Sequence, residues 1–180
     1  RGANTTLGSS GSGLGYSGIG QSVAVEFDTF NNGSGNNNST NHVTIDKLGS
    51  LTALITPVTV SPVFDDGNLW TAWIDYDGTN LEVRVNETGI RPGSPLLSLS
   101  LALTGTIGGS TAYVGFTAAT GAASENDDII KWTFSDSYIS GGVTAGSPIP
   151  EPSTYGLFAG VFALTITALV RRRLGRNQAD

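Results

Sequence analysis

The chain has 180 residues, 15 acidic against 9 basic side chains for a net charge of −6, and no cysteine. That length buries a sizeable core without staples, and the lack of cysteine excludes disulfides, zinc–thiolate sites and thiol catalysis together. Arg171, Arg172, Arg173 and Arg176 fall in the last ten positions, leaving five basic residues for the rest, so the body lacks the basic footprint that nucleic acid requires.

Methionine is absent too and the first residue is Arg1, from which a fragment lacking an upstream portion is expected. Residues 1–20 are rich in Gly and Ser and read as turns. Gly13-Leu-Gly-Tyr-Ser-Gly18 has the G-x-G-x-x-G spacing of a dinucleotide site. That fingerprint needs a strand before it and a helix after it, and here a polar coil leads in and β-type sequence follows. A glycine loop that permits close backbone approach is the better reading.

Ser22 to Phe30 alternates, with Val23, Val25, Phe27 and Thr29 on one face and Ala24, Glu26, Asp28 and Phe30 on the other. Asn31 to Asn41 is loop by composition, and His42-Val-Thr-Ile-Asp46 returns as a strand. Leu69 to Tyr76 and Leu81 to Asn86 flank Asp77-Gly-Thr-Asn80 and read as a hairpin. Leu96 to Leu103, Ala112 to Ala118 and Ile129 to Ile139 supply further strands. No window before residue 150 carries a helical period with caps. Several antiparallel strands with polar turns predict an all-β fold, an antiparallel β-sandwich.

The C-terminal stretch changes character. Gly141 to Pro152 is a Gly/Pro-rich linker ending in Pro150-Glu151-Pro152. Tyr155 to Val170 is a run of sixteen uncharged residues followed at once by Arg171-Arg-Arg173. About 20 apolar residues span a bilayer, with a lower limit near 17, so a single C-terminal transmembrane helix is expected. Its arginines belong on the cytoplasmic side and the β domain outside. The predicted organisation is therefore a β-sandwich over residues 1–140, a linker over 141–152 and an anchor with its basic tail over 153–180.

Chemistry concentrates in the first strand pair. Unpartnered carboxylates are costly on a buried sheet face, so Glu26 and Asp28, at i and i+2, point to a nearby cation. Asn32, the Phe30 backbone carbonyl and His42, the one histidine of the chain, complete a mixed oxygen and nitrogen set. Carboxylates and carbonyls suit Ca²⁺, and the histidine moves preference towards a transition metal such as Mn²⁺. An acidic strand edge beside a surface histidine fits the spacing equally well.

Val25-Glu-Phe-Asp-Thr-Phe30, Asn32 and Asn41-His-Val-Thr-Ile-Asp46 resemble the metal-binding core of the L-type (legume-like) lectins. Gly11-Ser-Gly-Leu-Gly-Tyr16 is similar to that family's glycine loop, Tyr113-Val-Gly-Phe-Thr-Ala-Ala-Thr-Gly121 to its GFSAATG segment, and Asp128-Ile-Ile-Lys-Trp-Thr-Phe134 to its DILSWSF strand. The resemblance implies a concanavalin-like jelly roll, incomplete at its N-terminal side, that binds carbohydrate without being an enzyme. By position it implies Glu26, Asp28 and His42 around a Mn²⁺-type ion, and Asp28, the Phe30 carbonyl and Asn32 around Ca²⁺. Asn32 would also hydrogen-bond a sugar, assisted by backbone N–H groups near Gly11 and Gly13, with the 121–128 loop shaping sugar preference. Where the family has a metal-bridging aspartate, five residues before the histidine, this chain has Asn37, an uncharged oxygen ligand that weakens the site. The family's sugar-binding aspartate precedes the glycine loop, in sequence that is not part of the chain.

Pro150-Glu151-Pro152, the apolar run and the arginine cluster resemble a PEP-CTERM sorting signal of Gram-negative bacteria. That resemblance implies export, anchoring in the inner membrane with the domain outside the cytoplasm, and recognition by an exosortase-type enzyme. The expected ligand is a glycan or exopolysaccharide. Two other readings stay open. One is a structural surface or matrix protein that keeps the lectin fold without sugar or metal binding, a reading that Asn37 favours. The other is a glycoside hydrolase, since laminarinase-type enzymes use Glu-x-Asp-x-x-Glu on one strand. Asn31 stands where the second glutamate would be.

Overall fold

In a computed structural model of the chain, residues 5–33, 39–122, 124–139 and 164–173 are described, the last of these for the backbone alone. The chain divides into two compact units, the first built mainly from Arg1–Asn68 and Ala102–Asp128, the second from Leu69–Leu101 and Ile129–Val170. Among the described residues the fold is all-β apart from short helical turns.

The first unit carries a sheet of β1 (Val23–Asp28), β2 (His42–Lys47) and β3 (Val58–Thr59), in that order and antiparallel. β2 is central, and five of its six residues are buried. Val43 and Ile45 are packed inside on one face, while His42, Thr44 and Asp46 are equally buried on the other. A strand covered on both faces ordinarily reads as a hydrophobic run; here every second residue is polar, so the polar face must be matched by partners. Phe64 covers the apolar side, its ring edge-on to Phe27 with centroids 5.8 Å apart.

Residues 8–18 fold into a loop closed by the Gly8 N–H on the Gly15 carbonyl and the Ser9 N–H on the Ser17 carbonyl, around a single 3₁₀ turn at Gly11–Gly13. A Cβ on Gly8 would come within 2.5 Å of the Tyr16 backbone, so only glycine fits there. Tyr16 is buried, and its hydroxyl accepts the Gly49 N–H at 3.1 Å.

One expectation fails in this unit and another is met in part. The strand expected over Leu96 to Leu103 forms over Leu97–Ser100, and the five-residue helix α1 (Leu103–Ile107) takes its last residue. It ends at Gly108, whose φ is +71°, and it has no side-chain cap; one and a half turns are too short to show a period. Residues 112–118 form no strand. Thr117 Oγ1 instead donates to the Leu14 carbonyl at 3.0 Å, and the Thr120 carbonyl accepts the Gly11 N–H at 3.1 Å. The segment thus bonds to the glycine loop rather than to a neighbouring strand.

The second unit is built on β4 (Leu69–Tyr76), β5 (Asn80–Asn86) and β6 (Leu97–Ser100), paired antiparallel. The hairpin forms as expected. The Asp77 carboxylate accepts the N–H groups of Thr79 and Asn80 at 2.8 and 2.7 Å, and these backbone donors hold its carboxyl below the usual carboxylate range. Trp70, Ala72 and Tyr76 are buried on one face of β4 and Trp73 and Asp75 on the other. Two more strands, β7 (Asn126–Ser135) and β8 (Leu164–Arg173), give the sheet order β6-β5-β4-β8-β7.

β8 overlaps the apolar run expected to be a transmembrane helix. Leu164–Arg173 is extended and seated between β4 and β7, so the second half of that expectation is not what this structure contains. Thr165, Ile166, Thr167 and Val170 are β-branched and favour extended backbone, and a place inside a sheet satisfies the same backbone groups a helix would. Among the described residues no helix is long and apolar enough to cross a membrane. Residues 140–163, which include the linker and Pro150, Glu151 and Pro152, lie outside the described residues.

Candidate metal centre

The register of β1 on β2 builds the site. Asp28 lies opposite His42, Glu26 opposite Thr44 and Ala24 opposite Asp46, and opposed residues of an antiparallel pair share a face. Glu26, Asp28 and His42 thereby come together, with one ligand atom from each lying within 4.8 Å of the others. They are buried, with relative exposures of 8% for Glu26, 3% for Asp28 and 0% for His42. The acidic strand edge beside a surface histidine is therefore not what forms.

Two carboxylates removed from water beside one another are costly unless positive charge is supplied. His42 Nε2 is 3.3 Å from Glu26 Oε1, yet neither ring nitrogen of His42 has a hydrogen-bond partner. Buried imidazole nitrogens are ordinarily satisfied. Two acidic oxygens and an unpartnered imidazole nitrogen facing one point are the donor set of a divalent cation with some transition-metal character, so the residues fit such an ion.

Asp28 also organises the loop that follows. Its Oδ1 accepts the Phe30 N–H at 2.7 Å, and its Oδ2 accepts from Asn32 Nδ2 at 3.4 Å. The chain from Asp28 to Asn32 thus curls back over one carboxylate, as a shared ligand set requires. Asn31, which sequence logic placed where a hydrolase would need a second glutamate, accepts the Gly33 N–H at 2.7 Å and serves the turn. Asn37 lies outside the described residues.

Gly11 and Gly13, near which the resemblance places backbone donors to a sugar, lie in the 3₁₀ turn of the glycine loop. The Gly11 N–H donates to the Thr120 carbonyl at 3.1 Å and the Gly13 N–H to the Ser10 carbonyl at 3.0 Å, so both donors are already engaged inside the protein. What these positions supply is space. A Cβ on Gly13 would meet Ser9 Cβ at 2.7 Å, and one on Gly121 would meet Gly11 Cα at 3.2 Å.

Residue-type reasoning passed over two members of this site. Asp46 is fully buried and neither of its carboxylate oxygens has a hydrogen-bond partner. Parity along β2 places it with His42 and Thr44, so the alternation applied to β1 would have found it. Phe30 is 45% exposed beside the ligand loop; an aromatic residue between two ligand positions is the signal in the sequence for its ring.

Burial and the neighbouring Glu26 carboxylate push the Asp46 carboxyl up to about 8. For Glu26, burial acts upwards but is outweighed by contacts with His42, Asp46 and Asp28, which hold it below the usual carboxylate range. One proton is thus kept on Asp46 rather than on Glu26. Because the folded value for Asp46 lies above its ordinary 3.8, the folded state binds a proton that the unfolded state has released. The stability this contributes is complete below pH 3.8 and is lost as pH rises through about 8. In chelator-stripped protein, Asp46→Asn therefore flattens the fall of melting temperature from pH 5 to 8; a slope equal to wild type rules out this proton.

A family model described as the legume lectin domain matches residues 7–145. Among curated relatives, the chain is 33% identical over 182 residues to the L-type lectin-domain containing receptor kinase VII.1 of Arabidopsis thaliana, covering 84% of this chain and 26% of that protein. It is 35% identical over 188 residues to the probable L-type lectin-domain containing receptor kinase VII.2 of the same plant, covering 87% of this chain and 27% of that protein. With the L-type lectin-domain containing receptor kinase SIT2 of Oryza sativa subsp. japonica it shares 34% identity over 126 residues, 62% of this chain and 18% of that protein. The chain thus spans about a quarter, or less, of the length of these relatives. No solved structure matches significantly.

Proposed function

The chain belongs to the legume lectin domain family, and from that premise we propose that it is a carbohydrate-binding protein whose sugar site is organised by a Mn²⁺-type ion and Ca²⁺. The observation that carries this reading is the cluster of the fully buried His42 with the buried Glu26 and Asp28, one ligand atom of each lying within 4.8 Å of the others. Glu26, Asp28 and His42 would hold the first ion; Asp28, the Phe30 carbonyl, Asn32 and more weakly Asn37 would hold the second. The ions supply the positive charge that fixes the loop. The chain supplies the sugar contacts. Asn32 offers an amide that both donates and accepts, and the exposed Phe30 ring offers an apolar surface for the C–H face of a sugar.

Non-enzymatic action follows from the same residues. A glycosidase needs one carboxyl to protonate a leaving group and a second to attack or activate water at a cleft. Glu26 and Asp28 are both buried, and Asn31 is tied into a turn. Binding of a glycan panel to the full chain should be measured with Ca²⁺ and Mn²⁺ and again with EDTA. Metal-dependent binding is expected; binding that ignores EDTA, or none at all, sinks the proposal.

The alternative is a structural surface or matrix protein on the same fold, favoured by the missing charge at Asn37. Asn37→Asp separates the two. A full charge about 4 Å from a divalent ion is worth several kcal/mol even at an effective dielectric near 20, so a gain of at least ~10-fold in Ca²⁺ affinity is expected for a weakened working site. No gain marks a site that has lost its use.

We further propose export, with Pro150, Glu151 and Pro152 read by an exosortase-type enzyme and residues 155–170 acting as an inner-membrane helix before or instead of adding a strand. Truncation after residue 149 separates the two uses of that run. Release from the membrane fraction with unchanged melting temperature supports the anchor. Loss of melting temperature without change of fraction supports the strand.

A further inference from the structure

We propose that Glu125 is a positioning residue that fastens the loop after Gly121 to the metal-binding strand through Thr29. This rests on the metal-organised reading above for its consequence, but not for its geometry. Thr29 Oγ1 donates to Glu125 Oε1 at 2.6 Å, across 96 residues of sequence. That length is typical of a hydroxyl bonded to an ionised carboxylate, roughly twice as strong as a neutral pair. Thr29 stands directly between Asp28 and Phe30, two positions assigned to the ions.

The other end of the same loop is fastened separately. The Thr120 carbonyl accepts the Gly11 N–H at 3.1 Å, and Thr117 Oγ1 donates to the Leu14 carbonyl at 3.0 Å. The chain between Thr120 and Glu125 is therefore pinned on one side to the glycine loop and on the other to the strand that carries the acidic ligands. Ordering of Asp28 by a cation then orders Thr29, and Thr29 passes that order to Glu125. By reciprocity, a sugar that steadies the loop tightens the metal by the same factor. Glu125 touches neither ion in this scheme; it acts through Thr29.

Hydrogen exchange of the full chain, first stripped with EDTA, tests the geometry. A hydrogen bond to a charged group is worth enough that its loss speeds local opening by about 10-fold. Thr29→Val and Glu125→Ala are each expected to raise exchange in the 121–126 peptide by that factor while the 42–47 peptide keeps its protection. The double variant should add nothing to either single change. Thr29→Ser, whose hydroxyl still donates to the carboxylate, should behave as the parent protein, and Glu125→Gln, whose Oε1 still accepts but without the charge, should fall between the parent and Glu125→Ala. Unchanged exchange at 121–126 in both Thr29→Val and Glu125→Ala overturns the proposal. A second arm adds Ca²⁺. Protection that spreads from 28–33 to 121–126 in the parent, and stops at 28–33 in Thr29→Val, supports the coupling. Absence of any Ca²⁺ effect in the parent fails the metal reading alone, and the stripped arm still decides the latch.

Discussion

His42→Ala is expected to remove the thermal stabilisation that Mn²⁺ or Ca²⁺ gives, while the chelator-treated variant stays close to chelator-treated wild type. The first half follows from the ligand set. His42 offers the one nitrogen in a cluster otherwise made of the Glu26 and Asp28 oxygens. Losing a direct ligand should exceed the ~10–100-fold loss of affinity that removal of an outer-shell partner causes. An ion present at ~100 times its dissociation constant stabilises by about 2.7 kcal/mol, which for a chain of this size is roughly 5–10 °C in melting temperature. That increment should vanish in the variant.

The second half follows from burial. Truncating an enclosed ring leaves a cavity and costs stability. Against that, the buried His42 Nδ1 has no hydrogen-bond partner, and such a group costs about 1–3 kcal/mol while it stays unsatisfied. The two effects oppose each other in metal-free protein. Differential scanning fluorimetry with EDTA, Mn²⁺ and Ca²⁺ reads both halves. Equal metal-induced shifts in wild type and variant would show that the cluster holds no ion.

Asp75→Ala should destabilise the second unit by about 3–5 kcal/mol, the cost of breaking a buried charge pair by removing one partner. Asp75 is 1% exposed, and its Oδ2 accepts from Arg84 Nη1 at 3.2 Å and Arg91 Nη2 at 2.5 Å. Arg84 also donates through Nη2 to Glu82 at 2.8 Å and through Nε to the Pro92 carbonyl at 3.0 Å. Asp75 and Glu82 stand opposite one another on β4 and β5, a like-charge pairing that is unfavourable in itself. Arg84 is what reconciles them. Without Asp75, Arg91 loses its acceptor while its Nη1 is already buried and unpartnered.

Charge, rather than packing, is therefore the expected cause, and one comparison separates them. Replacing the three residues together, as Asp75→Leu, Arg84→Met and Arg91→Leu, should recover much of the loss, because no buried charge is then left unpaired. Urea melts of the two variants against wild type measure this. A loss under ~1 kcal/mol for Asp75→Ala would place the network in solvent-like surroundings.

Much of the fold was legible in particular residues. The alternation from Val23 to Asp28 and from Leu69 to Tyr76, and the Asp77-Gly-Thr-Asn80 turn, are local patterns, and the strands formed where those patterns lie. The segment 112–118 carries the same β-type composition and forms no strand; the Thr117 side chain is instead bonded to the Leu14 carbonyl of the glycine loop. The run from Tyr155 to Val170 is apolar enough for a membrane helix, and its end from Leu164 is β-branched enough for a strand. Composition alone does not choose between them.

The site divides in the same way. Spacing along one strand put Glu26 and Asp28 on one face, and residue type with the resemblance to the L-type lectins added His42 from the next strand; by spacing alone a surface acidic edge fitted equally well. The burial of that set, the inclusion of Asp46 and the tie from Thr29 to Glu125 depend on which strands pair and in which register. Those are contacts between residues distant in sequence, set by the free energy of packing the whole unit, and no local pattern in the chain records them. Residue types in the chain limit the chemistry that can be assembled; strand pairing brings Glu26, Asp28, His42 and Asp46 together in a buried place.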